Sequence, residues 1–177
     1  MNSISSSAPW SNALVGTLQW TSSTKDMLVD SVTCICFGTG ATAWGASGRA
    51  GLLLSHATGF TVAPTTNGTS YASSISKLAT ANAASAVTDV QFTTSGTALT
   101  GHTISAFKTI GAVEGYIPVT ADTVHWRNVR MDSFSAGEVK VGLRITQNEG
   151  LAFHGYTPSA TGTAVVLVLI NWREVTL

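Results

Sequence analysis

Residues 138–146 read Glu-Val-Lys-Val-Gly-Leu-Arg-Ile-Thr. Val139, Val141, Leu143 and Ile145 fall on one side of an extended chain, and Lys140, Gly142, Arg144 and Thr146 fall on the other. A side-chain period of two marks a half-buried antiparallel strand. Residues 123–131 read as the strand before it. Gln147-Asn-Glu-Gly150 reads as a turn into a further strand over 151–156, so the three predict a meander. Residues 163–172, Thr-Ala-Val-Val-Leu-Val-Leu-Ile-Asn-Trp, are apolar on both faces. Such a strand needs cover on both sides, which places it in the middle of a sheet or against a neighbouring subunit.

The same alternation predicts strands over 13–20, 28–37, 51–55, 59–62, 87–93, 103–110 and 114–119. Turn residues separate them at Gly38-Thr-Gly40, Asn67-Gly68, Ser95-Gly96 and Gly111. Many short strands with frequent turns predict an all-β fold, an antiparallel β-sandwich or jelly roll. Residues 70–86 break the pattern. They are rich in Ala and Ser, with Tyr71, Ile75, Leu78 and Asn82 near helical spacing, and predict at most one short helix; a loop packed on a sheet edge is the competing reading. The Ser-rich residues 1–10 read as an N-terminal arm, and residues 11–177 as a single β-sandwich domain. A domain of this length buries roughly 70% of its unfolded surface.

Charge is scarce. Only 10% of the 177 residues are Asp, Glu, Lys or Arg, while about a quarter are Ser or Thr. The formal net charge is +0, and soluble proteins average roughly 25% charged residues. A neutral, charge-poor exterior favours self-association. It weighs against nucleic-acid binding, which needs a basic patch to displace counterions; the nearest basic cluster, Arg127 and Arg130, reads as a strand face. Lys25, Asp26, Asp30, Arg49, Lys77, Asp89 and Lys108 are the charges of residues 1–113, and the other eleven follow. The N-terminal part therefore reads as a surface to be covered. Residues 1–10 have neither a basic start nor an apolar stretch, so no secretory signal is expected. The apolar run 164–170 is too short to span a bilayer, so no membrane partner is expected.

Candidate chemistry is thin. Cys34 and Cys36 point to one face of a strand and read as two buried thiols; a lone Cys-x-Cys lacks the remaining ligands of a closed metal site. His56, His102, His125 and His154 show no metal spacing, although His125 and His154 would be neighbours across the expected meander. Gly45-Ala-Ser47-Gly has the wrong spacing for a nucleophile elbow, and Gly38-x-Gly40 reads as a glycine turn. The acids Glu114, Asp122, Asp132, Glu138 and Glu149 sit in turns or strand ends without the aromatic flanks of a glycosidase pair. Asn67-Gly68-Thr69 fits the glycosylation triplet but reads as a turn. The sequence thus assigns no catalytic residue, no cofactor and no metal.

In being charge-poor, rich in Ser, Thr, Gly and Ala, unsigned and poor in cysteine, the composition resembles that of small all-β virion proteins. The resemblance implies a non-enzymatic structural protein of a virus particle, of bacteriophage type: a head decoration or cement protein, or a related capsid component. Such a protein is made in the host cytoplasm and resides in the virion. Its partners are further copies of itself, with a homotrimer favoured, and other virion proteins. The expected protein interface comprises Pro9 and Trp10 of the arm with Val165, Val166, Leu167 and Trp172 of the apolar strand, tryptophan being enriched at contact hot spots. One alternative is a carbohydrate-binding module at a fibre tip, with Trp44 and Arg49 contacting the glycan. A second is a subunit of an extracellular filament.

Overall fold

Strands whose side chains alternate between apolar and polar must pair along their edges and bury one face, and this chain does so twice. The computed structural model describes residues 2–6, 11–39, 49–72, 75, 85–93, 97–116, 129–132, 135–136, 139–140, 142–156 and 162–177. In chain order the strands are β1 (Asn2–Ser6), β2 (Ser11–Trp20), β3 (Lys25–Thr39), β4 (Arg49–Thr58), β5 (Gly68–Ser70), β6 (Asp89–Thr93), β7 (Ala106–Tyr116), β8 (Val129–Asp132), β9 (Ser135–Ala136), β10 (Val139–Lys140), β11 (Leu143–Ile145), β12 (Glu149–Tyr156) and β13 (Gly162–Thr176). A six-stranded sheet has the order β5-β6-β2-β12-β4-β7. A five-stranded sheet has the order β1-β13-β3-β11, with β8 also paired to β3. Every pairing is antiparallel. The fold is all-β, an antiparallel sandwich.

The main core lies between the sheets. Val15, Leu18, Leu52, Leu54, Leu151 and Phe153 come from the six-stranded sheet; Met27, Val29, Val32, Cys34 and Ile145 come from the other. Burying a large apolar side chain contributes on the order of 1.5–3 kcal/mol, so this layer dominates stability. In β3 the buried positions change parity, from Met27 and Val29 to Val32 and Cys34. The register against β13 slips at the same place, Asn171 facing Ser31 and Trp172 facing Val29. Asp30 is therefore the extra residue of a β-bulge, and the bulge keeps both apolar sets inside. Of the two thiols expected to be buried, that of Cys34 is buried; the Cys36 side chain lies outside the described ones.

Gly16 shapes the centre of the six-stranded sheet. It faces Phe92 of β6 on one side and Phe153 of β12 on the other. With no side chain between them, the two rings meet at a centroid distance of 5.4 Å, and Tyr71 packs edge-on to Phe92 at 6.2 Å. A Cβ at Gly16 would lie 2.2 Å from the Phe92 ring.

Two irregular straps, residues 59–66 and 97–105, cross the outer face of the six-stranded sheet and bridge to each other at Val62–Thr103 and Thr66–Thr100. Beneath them lies a second core of Leu14, Ala57, Phe60, Leu99 and Ala152. Gly59, at φ 61°, turns the chain out of β4 into the first strap, where a side chain would be strained. The predicted strand over 59–62 is thus corrected to a strap.

Three further expectations are revised. The predicted strand over 138–146 is broken: Val139–Lys140 pairs with β9, whereas Leu143–Ile145 pairs with β3. Between them Gly142 sits against the Val29 carbonyl, where a Cβ would approach to 2.8 Å. The meander does not form, because β12 crosses to the other sheet and inserts between β2 and β4. The predicted strands over 103–110 and 114–119 are one strand, β7, over its described length. It carries a bulge at Ile110, since Leu54 faces Gly111 and Ser55 faces Thr109.

Of the expected arm, residues 2–6 form β1 on β13. Most of the possible helix over 70–86 lies outside the described residues; those described there show one 3₁₀ turn at Ala72, whose carbonyl accepts from Ile75 N–H at 3.3 Å, and no α-helix.

Gly16→Ala is expected to cost about 1–3 kcal/mol by forcing the boxed Phe92 ring aside. Chemical denaturation measures this. Pairing the change with Phe92→Leu should recover part of the loss, as a non-additive double mutant; strict additivity would contradict the ring contact.

Candidate functional site

The apolar strand singled out in the sequence is β13. Its residues Val168, Ile170 and Trp172 point inward and pack against the main core. The intervening residues point out. Leu169 is 50% exposed and Val175 44% exposed, although both are apolar residues on a sheet face. Asn171 and Arg173 separate them. Asn171 Nδ2 donates to Ser31 Oγ of β3 at 3.0 Å, and Arg173 Nε donates to Asp30 at 3.1 and 3.2 Å.

The charges of this face are locally balanced. Leu28 of β3 lies opposite Arg173 on β13 and opposite Arg144 on β11. Arg144 bonds the nearly buried Asp26, and Arg173 bonds Asp30. Each arginine next to Leu28 therefore has its own aspartate on β3. The exposed Arg173–Asp30 pair contributes only about 0–1 kcal/mol, and both pairs together leave the described charges of this face neutral. What remains unsatisfied is the apolar area of Leu169 and Val175. The C-terminal Leu177, exposed like them, is tied by its N–H to the Thr24 carbonyl at 3.1 Å.

Glu174 fixes the end of this strand. Its carboxylate accepts from Ala86 N–H and Ser85 Oγ, both at 2.8 Å, and from Lys25 Nζ at 3.0 Å. Burial alone would raise its pKa, but these hydrogen bonds and the Lys25 charge outweigh it and hold the pKa below the usual glutamate value.

The expected interface residues are distributed as follows. Val165 and Val166 lie where β13 is paired on both edges, to β1 and β3, and Leu167 lies opposite Ile35 of β3. Trp172 is half-buried against the main core. Pro9, Trp10 and Trp44 lie outside the described residues, as do Trp126 and His125. Arg49 opens β4 opposite Tyr116. The structure thus brings Val165, Val166, Leu167 and Trp172 onto one strand, and it adds Leu169 and Val175, which sequence reasoning did not single out. Their alternation with Val168, Ile170 and Trp172 was the available signal.

The histidines sit on opposite faces of the six-stranded sheet. His56 lies opposite Leu151, on the inner side, with Nε2 3.3 Å from Glu149 Oε2. Glu149 also accepts from Thr146 N–H at 2.8 Å. His154 lies on the outer side, buried, with its ring edge-on to Phe107 at 4.7 Å. Among the described residues no group of three or more His, Cys, Asp or Glu is placed to hold a metal ion, and no helix there is long and apolar enough to cross a membrane. Compared with known proteins, the chain matches no family model, no curated protein and no solved structure.

Glu174→Gln is expected to lower stability by about 1 kcal/mol at neutral pH, because a charge-assisted acceptor is lost. The native pKa is depressed, so this contribution is present above the unfolded value and is lost as pH falls through the native one. Denaturation curves of the two proteins should therefore converge in strong acid. A constant gap across the whole range would contradict the depressed carboxylate.

Proposed function

We propose that this chain is a non-enzymatic structural subunit of a virus particle, of bacteriophage type, acting through protein–protein contacts as a head decoration, cement or related capsid component. The observation that carries the reading is the outward pair Leu169 and Val175, half exposed on a neutralised sheet face of a chain in which only 10% of residues are charged. Apolar area removed from water contributes about 25 cal/mol per Å², and a face without net charge meets little repulsion from a like surface. Self-association through this face, with a closed trimer favoured, is the first contact. The second is with other proteins of the particle.

Light scattering and sedimentation test the first contact. The wild type is expected to sediment as a closed oligomer, and Leu169→Lys and Val175→Lys as smaller species with unchanged circular dichroism. Mixing with phage heads stripped of their outer proteins tests the second: the wild type is expected to pellet with the heads. A monomer at millimolar concentration that does not pellet would overturn the reading. So would glycan-array binding that Trp44→Ala abolishes, which favours the carbohydrate-binding alternative.

A further inference from the structure

The strap over residues 97–105 rests on the sheet with few ties. Its Leu99 N–H bonds the Leu14 carbonyl at 2.8 Å, and its Ser105 N–H bonds the Thr58 carbonyl at 2.9 Å. Between these points its backbone bonds among the described residues go to the other strap, through Thr61, Val62, Thr65 and Thr66. What holds its centre down is the apolar second core under Leu99 and Ile104.

His154 lies under this cover, on β12 between β2 and β4, with only 7% of its surface exposed. His102 lies on the strap itself, and its Nδ1 is buried with no hydrogen-bond partner among the described residues. Among the described residues no acid pairs with His154; by register Glu114 of β7, opposite Gly51, falls on the same face of the sheet, two residues along from Ala112. Described β2 residues on this face are untitratable, Leu14 being the one opposite His154. From β4 it meets Leu53, and from β7 it meets Phe107. His56 of β4 and Lys108 of β7 face each other in register on the opposite side of the sheet, as does Glu149 of β12. From the strap the titratable group that bears on it is His102.

We propose that residues 97–105 form an acid-released cover, lifted from the sheet when His154 takes up a proton, and that its release uncovers the apolar surface of Leu14, Phe60, Leu99 and Ala152. An imidazolium buried at His154, with no ion-pair partner among the described residues, demands water. The cover can move without breaking a sheet ladder, so the change is local. Burial, first, and the His102 charge, second, lower the His154 pKa from its ordinary value. A depressed base makes the closed form stable at high pH and progressively less so below the unfolded value of about 6.5. The opening constant then rises by up to roughly tenfold per pH unit for the proton that His154 takes up.

Hydrogen exchange read by mass spectrometry tests this. Exchange of the peptide spanning 97–105 is compared with that of the β3 and β12 peptides in the same sample, between pH 7.5 and pH 5. The strap-to-core ratio is expected to rise in the wild type, by up to about tenfold per pH unit, to stay flat in His154→Gln, and to rise less in His102→Gln. Where the buried His154→Gln change fails to fold, His102→Gln, on the strap, decides. A ratio unchanged in the wild type, an equal rise in the histidine variants, or a rise shared by all core peptides would overturn the proposal.

Discussion

The indole N–H of the fully buried Trp20 donates to the Lys25 carbonyl at 2.9 Å, and the placement of the two sheets rests on it. Trp20 ends β2 in one sheet and Lys25 begins β3 in the other, so this bond spans the crossing. Ser22 Oγ shapes the turn between them by accepting from Lys25 N–H at 3.1 Å. The contact then propagates. Asn148 N–H, in the turn that carries the chain back from β11 to β12, donates to the Trp20 carbonyl at 3.0 Å. Phe60 N–H donates to the Asn148 carbonyl at 2.6 Å, and Gln19 Nε2 donates to the Phe60 carbonyl at 2.7 Å. Each bond is worth only about 0.5–1.5 kcal/mol net, but together they tie both sheets and the first strap at one corner. A buried carbonyl left without its donor costs more than the bond was worth, so the corner is specified as well as stabilised.

How much of this was written in the sequence depends on the physics behind each feature. Alternation is local, and it was legible: β2, β3, β6 and β13 lie where their patterns put them. Pairing partners are not local. Residues 143–145 and 151–156 looked like neighbours in a meander, yet Asn148, at φ 62°, turns the chain across the sandwich instead. No periodicity encodes that choice. The straps were missed for a different reason. Phe60 with Val62, and Ile104 in 103–110, mimic the alternation of a strand, while burial falls on Phe60 and Leu99, which no period of two connects. The bulge at Asp30 was hidden inside a plausible alternation, because one extra residue changes parity without changing composition. At the candidate interface, the strand was legible as a stripe apolar on both faces. Which of its residues point outward was fixed only once Trp172 and Ile170 were seen to fill the core.

The two faces of the molecule contrast. The six-stranded sheet covers part of its outer surface with its own straps, which bury Leu14, Phe60 and Leu99 inside the chain. The five-stranded sheet has no such cover among the described residues. Its outer surface is made of short-range ion pairs and hydroxyls with apolar side chains between them. A chain with so few charges draws solubility from backbone and hydroxyl groups, which leaves its broad neutral surfaces available for contact with other proteins. The proposed structural role follows from this asymmetry together with the composition.

Hydroxyl-radical footprinting of the purified protein, each rate normalised to the intrinsic reactivity of its side chain, reads that asymmetry most directly, with Val62 of the first strap and Phe107 of β7 as exposed apolar references inside the same molecule. The account predicts that Leu169 and Val175 are modified far more slowly than these references at working concentration, and that they approach them on dilution. Modification of Leu169 and Val175 at the rate their exposure in a single chain dictates, whatever the concentration, would contradict it.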